Sequence, residues 1–164
     1  MYGRILVPVD GSETSTRGLD EAIKIAKVHG SQLLLVHIVN EFVLDVTYGA
    51  TFVSQNLIDS LIELGRSVLD EAESAAKREG IKVESALIQS VGGVAADLIL
   101  NQAKTWKPDL IVMGTHGRRG LARMALGSDA ENVVRAATVP VLLVRGPLKA
   151  KKEPAVTLIQ SSAA

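Results

Sequence analysis

Apolar positions along the chain follow two alternating periods. Five short runs, most of them apolar throughout, punctuate the sequence: RILVPV from Arg4, QLLLVHIV from Gln32, VESALIQ from Val83, DLIVM from Asp109 and VPVLLVR from Val139. Runs of this kind, rich in Val, Ile and Leu, suit parallel strands buried on both faces. Between them, apolar residues recur at helical steps. A first helix is predicted from about Glu13 to Val28, with Leu19, Ala22, Ile23 and Ala26 on one face and Gly30 placed to end it. A longer second helix carries Leu57, Leu61, Leu64 and Val68 as its apolar face and stops at Gly80. A third follows Gly92-Gly93, carries Val94, Leu98 and Ile99, and cannot continue through Pro108. A fourth begins near Ser128 and runs to about Ala136. Strands alternating with helices predict a single doubly wound α/β sandwich, with a parallel sheet, right-handed crossovers and helices on both faces.

Two segments break this rhythm. Asn40 to Ser54 has mixed character and reads as a mobile flap. From Gly146 onward, Pro, a lysine cluster and small residues read as a partly disordered tail. The expected organisation is therefore one domain over residues 1–146 and a tail over 147–164, with no internal repeat.

Composition narrows the chemistry. The chain of 164 residues is 47% hydrophobic and 22% charged, ordinary for a folded globular domain. Basic and acidic residues balance at 18 each, which argues against nucleic-acid binding through bulk positive charge. The absence of cysteine excludes disulfides, thiolate zinc sites and thiol catalysis. No charged leader precedes a long apolar segment and no apolar run approaches a membrane span, so a cytoplasmic protein without membrane insertion is expected.

In open parallel sheets, ligands bind beyond the carboxyl ends of the strands where the winding reverses. Two strand ends are chemically suggestive. The first runs Pro8-Val9-Asp10-Gly11-Ser12, and the fourth runs Met113-Gly114-Thr115-His116-Gly117. Glycine backbone can approach a ligand closely, and consecutive N–H groups in a tight turn form an anion-binding nest. Gly127-Ser128 then leads into a helix whose first N–H groups favour negative charge. With Arg118, Arg119 and Arg123 between them, these elements point to phosphate.

Plainer roles exist for the same residues. Ser128-x-x-Glu131 reads as a capping box, worth roughly 0.5–2 kcal/mol whether or not anything binds. Asp10 fits a turn, and Ser12 to Thr16 supply helix-start chemistry in any case. His116 sits in the glycine loop, His37 in an apolar strand suits a backbone partner, and His29 suits a helix C-terminus. No pair of histidines has metal-ligand spacing. The motifs G-x-x-x-x-G-K-[ST], G-x-G-x-x-G after the first strand, and G-x-S-x-G are all absent.

Gly114-x2-Gly117-x9-Gly127-Ser128 resembles the ATP-binding signature of the universal stress protein family, including its nine-residue spacer. The strands VPVDGS, LLLVHIV and VPVLLVR resemble that family in order and spacing, so the likeness covers residues 1 to 146. It implies a five-stranded sheet in the order 3-2-1-4-5, as in adenine nucleotide α-hydrolase-like folds. It also implies adenine and ribose at Pro8, Val9, Asp10 and Ile38, and phosphates along Met113, Gly114, Thr115, His116, Gly117, Arg118, Arg119 and Gly120. The phosphate path would then meet Gly127, Ser128, Asp129 and Ala130. ATP or AMP is the implied ligand, with Mg2+ accompanying the triphosphate and Asp10 as its protein ligand. A homodimer through Val139–Arg145 is implied as well, which would cover a flat apolar edge. Asp129 departs from the family pattern, since relatives often carry an uncharged residue there and a carboxylate repels phosphate.

The function expected on these grounds is a dimeric stress-response regulator that binds ATP or AMP and acts on a regulatory protein partner. It lacks a convincing general base for hydrolysis, which makes it at most a slow ATPase. The alternative is a nucleotide-free partner-binding module of the same fold. An adenylyl-transferring enzyme ranks third, because such enzymes place His or Ser/Gly motifs where this chain has GSETS.

Overall fold

Arg4–Pro8 forms the central strand, β1, and every apolar side chain in it has a layer to enter. Ile5 and Val7 face one layer and Leu6 the other, all fully buried. The computed structural model describes residues 1–40, 55–117 and 126–146. The other strands are β2 (Gln32–Asn40), β3 (Lys82–Ser90), β4 (Leu110–Gly114) and β5 (Val141–Val144). All pair in parallel in the order β3-β2-β1-β4-β5. The winding therefore reverses between β1 and β4, as expected. The described helices are α1 (Glu13–His29), α2 (Gln55–Arg78), α3 (Ala95–Trp106) and α4 (Ser128–Ala136).

Two apolar layers sandwich the sheet. Leu19, Ala22, Ile23 and Ala26 of α1 join Leu69, Ala72 and Ala76 of α2 over Ile5, Val7, Leu33, Leu35 and Val112. On the opposite face, Ala96 and Ile99 of α3 and Ala130 and Val133 of α4 cover Leu6, Leu34, Val36 and Ile111. Helix α1 is bounded by its own sequence. Ser12 Oγ accepts the Ser15 N–H at its start, and Gly30 adopts the left-handed conformation (φ 67°) that ends it.

Four expectations change. Helix α2 forms, but its face is rotated by about one residue from the predicted one. Leu57 and Leu64 are 38% and 47% exposed, while Ile58, Gly65, Leu69, Ala72 and Ala76 are buried. Counting large side chains missed that glycine and alanine let the helix approach the sheet. Val94 is 46% exposed and precedes α3 as its cap, so Ile99 and Ala96 carry that helix's packing. The capping box does not form: Gly127 is the cap residue, Ser128 is already helical, and Glu131 pairs with Arg135 at 2.5 Å. Strand β5 is shorter than the run Val139–Arg145. The expected flap beyond Asn40 and the tail from residue 147 lie outside the described residues.

Candidate functional site

Strands β1 and β2 stay in register to Pro8↔Val36, and the Val9 N–H makes one further bond to Val36 O (2.8 Å). Strand β2 then continues beside β3 to Asn40↔Ser90, while β1 turns away through Asp10 and Gly11 (φ 79°). A positive φ at Gly11 lets the chain turn straight into α1. Asp10 is held at this turn: Oδ1 accepts the Ser12 N–H (2.9 Å), and its own N–H donates to Ser15 Oγ (3.0 Å).

Strand β4 ends against the same turn. Gly114 lies so close to α1 that a β carbon there would be 2.9 Å from the Thr14 carbonyl carbon. Beyond it, Thr115 N–H donates to Val144 O (2.9 Å), Thr115 Oγ1 lies 3.0 Å from His116 Nδ1, and Thr14 Oγ1 donates to the His116 carbonyl. At Gly117 a β carbon would stand 2.6 Å from Asp10 Oδ2, which puts the loop backbone against the carboxylate. Gly127 returns to this point: its N–H donates to Thr115 O (2.8 Å), and a β carbon there would be 3.5 Å from His116 Cα.

Asp10, Gly114, Thr115, His116, Gly117 and Gly127 thus converge at the carboxyl ends of β1 and β4, although more than a hundred residues separate the first from the others. Pro8, Val9 and Ile38 line the parting of β1 and β2. Met113 and Ala130 send their side chains into the core, leaving only their backbone for a ligand. Ser128 and Asp129 are exposed in the first turn of α4. A glycine cap offers no side-chain acceptor, so the first N–H groups of this turn point from an uncapped helix end. Arg118, Arg119, Gly120 and Arg123 lie outside the described residues.

Sequence reasoning missed two members of this assembly. Thr14 and Ser15 appeared only as helix-start residues, yet they hold the His116 carbonyl and the Asp10 amide. Only the polar run Ser12–Thr16, next to a glycine turn, hinted at them. A separate groove of about 320 Å3 lies between α3 and α4, lined by Leu100, Ala103, Pro108 and Val139, at the opposite end of the sheet.

Comparison with known proteins settles the lineage. The sequence profile of the universal stress protein family matches residues 1–145. The chain belongs to the universal stress protein family. A relative in that family, universal stress protein MJ0531 of Methanocaldococcus jannaschii, is 37% identical over 91% of this chain and 85% of its own length. Among solved structures, that of MJ0577 superposes with a TM-score of 0.77 at 26% identity, covering 90% of this chain and 98% of its own. Two other solved family members hold nucleotides. A universal stress protein in complex with cAMP is 26% identical (TM-score 0.63; 88% of this chain, 97% of its own). The Archaeoglobus fulgidus protein in complex with dAMP is 25% identical (TM-score 0.63; 87% of this chain, 98% of its own).

Proposed function

We propose that this family member binds an adenine nucleotide, ATP or AMP, across the parting of β1 and β4, and acts in the cytoplasm as a dimeric stress-response regulator. The observation that carries the reading is the meeting of Gly117 with Asp10, and of Gly127 with Thr115 and His116, at the switch point of the sheet. Glycine backbone there leaves room for phosphate oxygens beside N–H donors, and the start of α4 adds its dipole. Complexes of two family members with cAMP and dAMP support an adenine nucleotide as the ligand class.

In this reading, Pro8, Val9, Asp10 and Ile38 take the nucleoside, and Met113 to Gly120 with Gly127 to Ala130 take the phosphates. Asp10 would hold the Mg2+ that accompanies a triphosphate, and the cation would offset repulsion between the carboxylate and the phosphates. Turnover is slow at most in this reading, because among the described residues of the assembly none is a convincing general base toward a γ-phosphate. The edge strand β5, half-buried at all four positions, is the surface through which two copies pair. Residues 1–146 form the nucleotide-binding unit.

The test is to denature purified protein, identify any released nucleotide by chromatography, and titrate the stripped protein with ATP and AMP, with and without magnesium. Stoichiometric nucleotide or saturable binding supports the reading. A protein that carries none and ignores both ligands is instead a partner-binding module, the reading that the exposed Asp129 carboxylate in the first turn of α4 favours.

A further inference from the structure

The peptide unit between Val9 and Asp10 is held at both of its polar atoms by side chains. His37 lies on β2, is 4% exposed, and brings Nδ1 to 2.7 Å from the Val9 carbonyl. A carbonyl can only accept, so Nδ1 carries the proton. On the other side of the same peptide, the Asp10 N–H donates to the Oγ of Ser15, itself 5% exposed. These bonds occur where backbone pairing between β1 and β2 gives out: the last paired residues are Pro8 and Val36. His37 therefore spans the opening with its ring and ties the departing β1 back to β2.

The ring is also wedged from behind. A β carbon at Gly65 of α2 would lie 2.7 Å from His37 Cδ2, 3.1 Å from Nε2, and 2.9 Å from Leu87 Cδ1. Helix α2 presses on the imidazole through a residue without a side chain. The ring cannot retreat from Val9 without displacing the helix or Leu87.

We propose that His37 and Ser15 are positioning residues of the nucleotide site, clamping the Val9–Asp10 peptide so that the Asp10 carboxylate stays against Gly117. This rests on the nucleotide-binding reading above. Neither side chain needs to touch the ligand. The clamp sets the plane of the peptide that carries Asp10, and with it the direction of the nucleoside-facing strand end. Gly65 becomes part of the same device, a position on an outer helix whose occupancy is felt in the site through the His37 ring.

The deciding experiment compares His37→Leu with His37→Asn, reading AMP affinity by calorimetry and Asp10 amide protection by hydrogen exchange on folded protein. Leucine removes the donor and leaves a buried carbonyl unsatisfied, so AMP binding weakens about tenfold and Asp10 exchange accelerates. Asparagine places an N–H donor at the Nδ1 position and brings affinity back to within about threefold of wild type. Should His37→Leu fail to fold, Ser15→Ala makes the same test from the amide side, with the same loss expected. Gly65→Ala, which ordinarily strengthens a helix, is expected to weaken AMP binding through the displaced ring. Folded His37→Leu or Ser15→Ala that binds AMP like wild type overturns the clamp, as does folded His37→Asn no better than leucine. Wild-type protein that binds neither AMP nor ATP overturns the nucleotide reading itself, and the role of the clamp with it.

Discussion

Each end of the central β1–β4 pair carries an aspartate, and the fold uses the two differently. At the amino end, Asp109 Oδ2 accepts the N–H groups of both Gly3 (2.8 Å) and Arg4 (2.9 Å), joining the start of β4 to the start of β1. The Arg4 guanidinium stacks 4.4 Å from the Trp106 ring centre and closes that end. At the carboxyl end, Asp10 takes the N–H of Ser12 within its own turn, while Oδ2 faces the backbone of Gly117. One carboxylate bridges distant segments and serves the fold. The other is oriented by its own turn and presented to a surface of glycine backbone. Residue type does not separate these roles; the sequence distance spanned by the bonds does.

The change expected to act most strongly on this contrast is Gly117→Val. Any β carbon there meets Asp10 Oδ2 at 2.6 Å, so nucleotide affinity should fall by about a hundredfold or more. The melting temperature should stay close to wild type, because the obstructing atom is the end of a side chain. Wild-type affinity in titration calorimetry, at unchanged stability, would break the assignment of the carboxyl end as a binding surface.

Gly114→Ala addresses the same end through the fold. Its β carbon would meet Thr14 backbone at 2.9–3.0 Å, and overpacking of this kind costs about 1–3 kcal/mol. Urea unfolding should register that loss; no loss would mean that α1 can shift away from β4. At the amino end, Asp109→Ala removes the acceptor of two N–H groups and should cost about 1–2 kcal/mol, with nucleotide affinity unchanged. Asp109→Asn, which keeps a carbonyl acceptor, should recover most of the loss. A drop in nucleotide affinity in either variant would mean that the two ends are coupled.

A milder probe is Thr14→Val, which keeps shape but removes the donor to the His116 carbonyl. It should cost about 1 kcal/mol or less and weaken ATP more than adenosine, because the tether serves the glycine loop. Equal weakening of both ligands would count against that division of the site.

The smallest effect serves as a baseline remote from both ends. Hydrogen bonds from Lys77 and Ser85 hold the Glu73 carboxyl below its ordinary value of 4.5. A folded-state value lowered in this way stabilises the protein above pH 4.5, and the contribution disappears as pH falls through the lower folded value. Lys77→Met should therefore remove a few tenths of a kcal/mol near neutrality and flatten stability below pH 4.5. Thermal melts across that window test it.

Much of the candidate site's convergence was legible as sequence because it depends on close backbone approach. Gly114, Gly117 and Gly127 stand where chain segments approach within a side chain's width, so a β carbon at any of them crowds a neighbour. Asp10 stood out because it follows an apolar run and precedes a glycine. His37 was legible as a side chain with a backbone partner, but not that the partner is the Val9 carbonyl, and Thr14 and Ser15 were not legible as site residues. Each makes a bond whose partner is a main-chain atom, and main-chain atoms carry no signature of residue type. The face of α2 was misjudged for a related reason: Gly65, Ala72 and Ala76 pack by being small, and a count of large apolar residues cannot see them. The capping box failed because a glycine already stood at the helix boundary one residue earlier.

By itself, the sequence determined the element order, the parallel sheet with both faces buried, the switch point between the first and fourth strands, and the glycine signature there. The first two follow from periodicity and chain connectivity, which are local properties; the switch point was implied by the resemblance of the glycine signature and strands to a family. Only the tertiary structure decided which side of α2 is buried, which aspartate closes the fold and which faces the glycine loop, and which side chains hold the Val9–Asp10 peptide. Those outcomes depend on distances between segments more than a hundred residues apart, set by how closely glycine and alanine let helices and strands approach.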